Sequence, residues 1–150
     1  HAEHAGLSYR YSVWHVDLHD MTLTPRFQIT RTQIAHVVAV FYHRVRVDSV
    51  LGPIFATHVT DWSLHEAKIT DFWANAILHE RVYDGNPMKK HMQAGNVEPD
   101  HFRTWLAIFD DVLQAELQSD VAQLWSALAH RIGRGLQYGL QAQKGGIPVL

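Results

Sequence analysis

The chain has 150 residues and a mass of 17.2 kDa, and at 47% hydrophobic and 19% charged residues it reads as one globular domain with a buried core, which excludes a disordered chain. Lys and Arg total 13 against 15 for Asp and Glu, so the basic surplus of a nucleic-acid binder is missing. The absence of cysteine excludes disulfides, thiol catalysis and thiolate metal sites, and no apolar run approaches the roughly 20 residues of a bilayer span.

Residues 1–30 read apart from the rest. The stretch Tyr9 to His19 carries His, Tyr and Trp in rough alternation, compatible with a short strand, an extended arm or a helical turn. The Thr-rich run around Pro25 reads as a linker. The first 30 residues also lack the apolar centre of a secretory signal, and the chain opens on His1, as expected of a processed or trimmed start. A cytoplasmic location is the expectation.

From Thr30 the pattern is helical. Thr30-Arg31-Thr32-Gln33 has the Thr-x-x-Gln form of a capping box. Ile34, Val37, Val38, Phe41, Tyr42 and Val45 then fall on one helical face. Valine is a weak helix former, so packing must hold this helix. Gly52-Pro53 stops it, and Pro53-Ile54-Phe55 predicts a short helical turn. The next helix has two candidate caps, Asp61 and the Ser63–Glu66 box. Its face carries His65, Ile69, Phe72, Trp73 and Ala76, and it fades near Leu78–Glu80.

Gly85-Asn86-Pro87 marks a loop, with Pro87 suited to the first position of a short helix that reaches about Met92 and ends at Gly95. Pro99 opens a helix whose apolar face is Phe102, Trp105, Leu106, Phe109, Val112 and Leu113. Ser119 or Asp120 starts the last helix, with Val121, Leu124, Trp125, Leu128, Ile132 and Leu136 on its inner face. Residues 31–143 show no repeat and no strand pattern, which predicts an all-α core of about five helices. An N-terminal extension (1–30) precedes it and a flexible tail (144–150) follows.

Twelve histidines and a heavy aromatic load (six Phe, five Trp, five Tyr) point to metal, cofactor or pH chemistry, or to a His-rich surface without a role. Tyr42 lies on an apolar face, where a phenol needs a partner. It either bonds a backbone carbonyl in the core or points a donor into a ligand pocket. His65 is either a satisfied core histidine or a ligand, and Trp105 either packs or also offers its indole N–H. No His-Glu-x-x-His pair, Gly-x-Gly-x-x-Gly, phosphate loop or Gly-x-Ser-x-Gly elbow is present. Asp110-Asp111 and Lys89-Lys90 read as solvated faces. One arrangement accounts for the whole set: an all-α chain with an aromatic interior and a histidine on a short segment suits a flat apolar cofactor such as haem.

Five motifs in order carry a family resemblance over residues 31–140: Phe41-Tyr42-His43-Arg44-Val45; Leu51-Gly52-Pro53-Ile54-Phe55; His65-Glu66-Ala67-Lys68-Ile69 with Phe72-Trp73; Tyr83 through Pro87-Met88-Lys89-Lys90-His91; and His101-Phe102-Arg103-Thr104-Trp105-Leu106. The sequence resembles the group III truncated haemoglobins. The resemblance implies a two-over-two helical sandwich around haem b, with His91 as the iron ligand. It implies that Tyr42, His65, Trp105 and Ile69 face the ligand. It implies that Phe41, Phe55, Lys68, Phe72, Trp73, Tyr83, Met88, Lys89 and Lys90 surround the cofactor, the lysines near its propionates.

The expected partners are diatomic gases (O2, NO, CO) or anions such as cyanide, without nucleic acid or membrane. The resemblance leaves His65 three roles: donating to the ligand, swinging as a gate, or binding iron. It also leaves two functional classes. One binds, carries or senses a diatomic ligand; the other is a haem redox enzyme, such as a nitric oxide dioxygenase or a peroxidase-like protein, working with a separate reductase.

Overall fold

A computed structural model describes residues 24–144. Six helices follow one another: α1 (Arg31–Val47), α2 (Leu51–Ala56), α3 (Trp62–Leu78), α4 (Pro87–Ala94), α5 (His101–Glu116) and α6 (Ser119–Lys144). No strand occurs among the described residues, as the helical periodicity predicts. Among the described residues the count is six, against about five expected, because the turn at Pro53 is a helix in its own right.

Local chemistry explains most of the helix ends. The capping box at Thr30 is formed: its hydroxyl accepts the Gln33 N–H at 3.1 Å, and Gln33 Oε1 accepts the Thr30 N–H at 2.9 Å. Asp48 turns the chain into α2 by accepting the N–H groups of Val50 (3.0 Å) and Leu51 (2.8 Å). Gly52 lets α2 approach α1, since a Cβ there would sit 2.7 Å from the Arg46 carbonyl oxygen. Of the two candidate caps for α3, Asp61 is the one used, accepting the Leu64 N–H at 3.0 Å. The helix ends at His79, which is left-handed at φ 59°. Asn86 caps α4 ahead of Pro87, and Gly95 closes it at φ 79°. Pro99 lies before α5 and not within it; Asp100 gives no side-chain cap, and His101 Nδ1 instead accepts the Glu98 N–H at 2.9 Å.

The long helices stack as two pairs. α1 packs on α3, α5 packs on α6, and α1 crosses onto α5. Phe109 of α5 sits where all four meet. Its ring stacks on Trp105 (5.1 Å) and on Trp73 of α3 (5.5 Å), while Phe41 of α1 and Trp125 of α6 approach it edge-on at 5.1 and 5.5 Å. Such pairs each add about 0.5–1.5 kcal/mol beyond area burial. The predicted inner face of α6 needs one correction. Trp125 and Leu128 are buried as expected, but Leu124 is 52% exposed, and Ala122 and Ala129 are buried as well. On this side α6 meets α5 through Trp125 on Phe109, Gly133 on Leu106, and Ser126 and His130 on Asp110.

The segment Tyr9–His19 and the tail from 145 lie outside the described residues. The stretch just after Pro25 is not a free linker. Arg26 donates its backbone N–H to the Ile77 carbonyl and its Nε–H to the Ala76 carbonyl, both at 2.9 Å. Phe27 is buried against Trp125.

Candidate functional site

The two helix pairs do not close completely. Between them, and under α2 and α4, lies a cavity of about 640 Å³. Its wall takes Tyr42 from α1, Phe55 from α2, His65, Lys68, Ile69, Phe72 and Trp73 from α3, Tyr83 from the loop, Lys90 and His91 from α4, and Trp105 from α5. All four residues expected to face a ligand are thus in one wall, and so is the expected metal ligand. Three expected cofactor neighbours are not. Phe41 lies behind the wall in the core, edge-on to Tyr42 and Trp105. Met88 packs toward Gly139 of α6. Lys89 is exposed beside Lys90 and does not line the cavity.

His91 is oriented by its own helix. Its Nδ1 lies 2.5 Å from the Pro87 carbonyl oxygen, one turn back. A carbonyl only accepts, so Nδ1 carries the proton and Nε2 keeps its lone pair. Burial holds the imidazole below its usual pKa, against the opposing pull of the Pro87 bond, and the ring is neutral at pH 7. Phe102 packs edge-on against it at 5.2 Å.

His65 is the second histidine of the wall. Its Nε2 is buried without a hydrogen-bond partner among the described residues. Three aromatic rings surround it: Tyr42 at 4.9 Å, Trp62 at 5.8 Å and Phe55 at 6.0 Å. Burial, then the charges of Lys68 and Lys90, push its pKa down to about 4. The Tyr42 side chain is 3% exposed. Its phenol is driven far above the usual range by burial, then by the Glu66 carboxylate, and stays protonated. Its hydroxyl has no hydrogen-bond partner among the described residues, a backbone carbonyl included. Trp105 is half-buried, and its ring is held by the stack on Phe109.

Tyr83 folds over Gly85, where any Cβ would collide with the phenol, and meets Phe72 edge-on at 5.3 Å. Gly85 therefore keeps the Tyr83 ring against the cavity. The wall also contains residues that the sequence reading did not assign to the site: Leu51 and Phe102, read there as motif or core residues, and His58 and Gly133. His58 Nε2 lies 2.6 Å from Asn96 Oδ1, and Asn96 bonds Thr57, so the turn after α2 is tied to the loop after α4. Gly133 is buried against Leu106, with a Cβ position 3.1 Å from Cδ1. Its signal was available: a glycine inside a helix costs about 1 kcal/mol and asks for a close approach.

Among the described residues, six helices thus enclose an apolar cavity with a lone-pair nitrogen in its wall, the class of an all-helical cofactor-binding domain. A sequence profile described as "Bacterial-like globin" matches residues 30–132. The group 3 truncated hemoglobin ctb of Campylobacter jejuni is 39% identical over 89 residues, 57% of this chain and 70% of the relative. The crystal structure of the group III truncated hemoglobin from Campylobacter jejuni superposes with a TM-score of 0.72 at 33% identity, covering 75% of this chain and 92% of the other. The chain belongs to the bacterial-like globins, a haem-binding family, and within it to the group III truncated haemoglobins. No helix of the described residues is long and apolar enough to cross a membrane.

Proposed function

We propose that the cavity holds haem b, that His91 Nε2 would bind its iron, and that Tyr42, His65 and Trp105 would act on a diatomic ligand. The residues fit that group. The wall is mostly apolar and aromatic, which suits a flat macrocycle, and Lys68 and Lys90 offer cations to its acidic edge. Burial of such a surface contributes about 25 cal/mol per Å². The single observation that carries the reading is the His91–Pro87 hydrogen bond, which leaves an unprotonated nitrogen in the cavity wall. When bound, the haem would supply an iron able to take O2, NO, CO or an anion such as cyanide.

The protein supplies orientation and hydrogen bonds. His91 stays neutral and fixed in one tautomer, so its donor strength and direction are set before the cofactor arrives. The Tyr42 hydroxyl and the Trp105 indole N–H are donors with no competing partner among the described residues. A hydrogen bond to a charged acceptor is worth about 1.5–3 kcal/mol. Each donor therefore slows release of a negatively polarised ligand by about tenfold or more. His65 contributes an uncharged, unpaired Nε2 in the same wall. Residues 31–143 form the globin unit, and Phe27, just ahead of it, packs on its Trp125.

The test is replacement of His91 by glycine. The H91G protein reconstituted with haemin loses the wild-type visible spectrum, and added imidazole restores it. A visible spectrum identical to wild type would overturn the assignment.

A further inference from the structure

The helix that carries His91 is weakly held. α4 has eight residues and none of them is fully buried. Eight residues are too few to be stable alone, so packing must fix its position. Among the described residues, the backbone of α4 comes close to one helix, α6, while the His91 ring itself also meets Phe102 of α5. The contact is specific. Gly139 of α6 is buried, and a Cβ there would lie 2.7 Å from the Met88 sulfur and closer still to the Met88 methyl. Met88 thus occupies the space a side chain at 139 would need. Met88 is three residues before His91, which places both on the same side of α4 one turn apart. The flanking Pro87 supplies the carbonyl that holds the imidazole. Of the other two glycines of α6, Gly135 lies one turn earlier, and there a Cβ would meet nothing within 4 Å. The two glycines share a helix, and only one of them receives a side chain from α4.

We infer that the Met88 side chain seated on Gly139 is the anchor that sets the position of His91, making Met88 and Gly139 positioning residues for the metal ligand. This rests on the reading of His91 as that ligand. The seat acts by volume and contact, and it requires a small residue on α6 opposite a long one on α4. Met88 was expected to touch the cofactor; its place away from the cavity wall gives it this separate role.

The experiment uses the haem-loaded full chain. The ferrous iron–imidazole stretching band is recorded by resonance Raman, and haem loss to excess apomyoglobin is timed. G139L fills the seat and is expected to shift or broaden the band and to speed haem loss about tenfold or more, the scale typical of groups that orient a metal ligand. M88A/G139L exchanges the large and small residues across the contact and is expected to bring both readouts back toward wild type. G135L, on the same helix, is expected to match wild type. Far-UV circular dichroism confirms that each variant is folded. If G139L folds and leaves the band and the loss rate at wild-type values, or if G135L disturbs them equally, the anchor is refuted. Should G139L fail to fold, M88A carries the test: it is expected to shift the band, and an unshifted band refutes the anchor. If the band survives in H91G without added imidazole, the ligand assignment itself fails, and the anchor with it.

Discussion

The ring of Tyr42 meets the ring of His65 edge to face, with centroids 4.9 Å apart and planes at 81°. One residue comes from α1 and the other from α3, so the contact forms only when the first two long helices dock. It places a protonated phenol beside a neutral imidazole in an apolar wall, and neither side chain is hydrogen-bonded to the other or to another described residue. Two polar groups left in this state at one cavity wall are available to a ligand.

The first prediction concerns those donors. Tyr42→Phe and Trp105→Phe each raise the dioxygen dissociation rate about tenfold or more, because each removes one hydrogen bond to a charged acceptor. Both changes keep an aromatic ring in place and spare the packing around Phe41 and Phe109. Stopped-flow displacement measures the rates. Rates equal to wild type in both variants would exclude the proposed role.

Protonation of His65 should appear only in acid. Its folded pKa is about 4 against 6.5 for a free side chain. Above pH 6.5 the ring is neutral in both states, and the full contribution to stability is present. Between 6.5 and 4 the unfolded chain binds the proton first, so stability falls as pH falls and is lost through the folded pKa. His65→Leu removes this loss and also removes an unsatisfied buried nitrogen, which stabilises the haem-free chain by about 1 kcal/mol. Thermal unfolding of both proteins from pH 7 to 4 checks this. The prediction fails if their melting temperatures fall in parallel.

Phe109 should be the costliest aromatic to truncate. It is fully buried and contacts rings from all four long helices. Phe109→Ala is expected to cost about 3–5 kcal/mol of folding stability, as large core truncations do. Urea unfolding would show it as a lower midpoint. A loss below about 1 kcal/mol, the range of most surface changes, would contradict the hub geometry.

The start of α3 separates two caps that look equal in sequence. Asp61→Ala removes the bond to the Leu64 N–H and should cost about 1 kcal/mol. Ser63 lies inside the helix, so Ser63→Ala should change stability by no more than about 0.5 kcal/mol in either direction. The reverse order in a denaturant titration would show that Ser63 is the cap.

Features that depend on a few neighbouring residues were readable from the amino-acid order. Thr30 with Gln33, the Asn86-Pro87 start and Gly95 stop of α4, and the Ile34-to-Val45 stripe are local chemistry, decided within one or two helical turns. The linked motifs around Tyr42, His65, His91 and Trp105 also carried the family. What tertiary structure decided is which of several open states each residue takes. Tyr42 has an uncommitted hydroxyl because no carbonyl from α3 or α5 reaches it. Leu124 faces out while Trp125 beside it is buried on Phe109, and Met88 lies against Gly139 of α6 and not in the cavity wall. The reason is one of range: a cap or a helical face follows from residues at most about four apart, whereas a cavity wall is assembled from helices far apart in the chain, whose relative position depends on how their side chains fill the space between them.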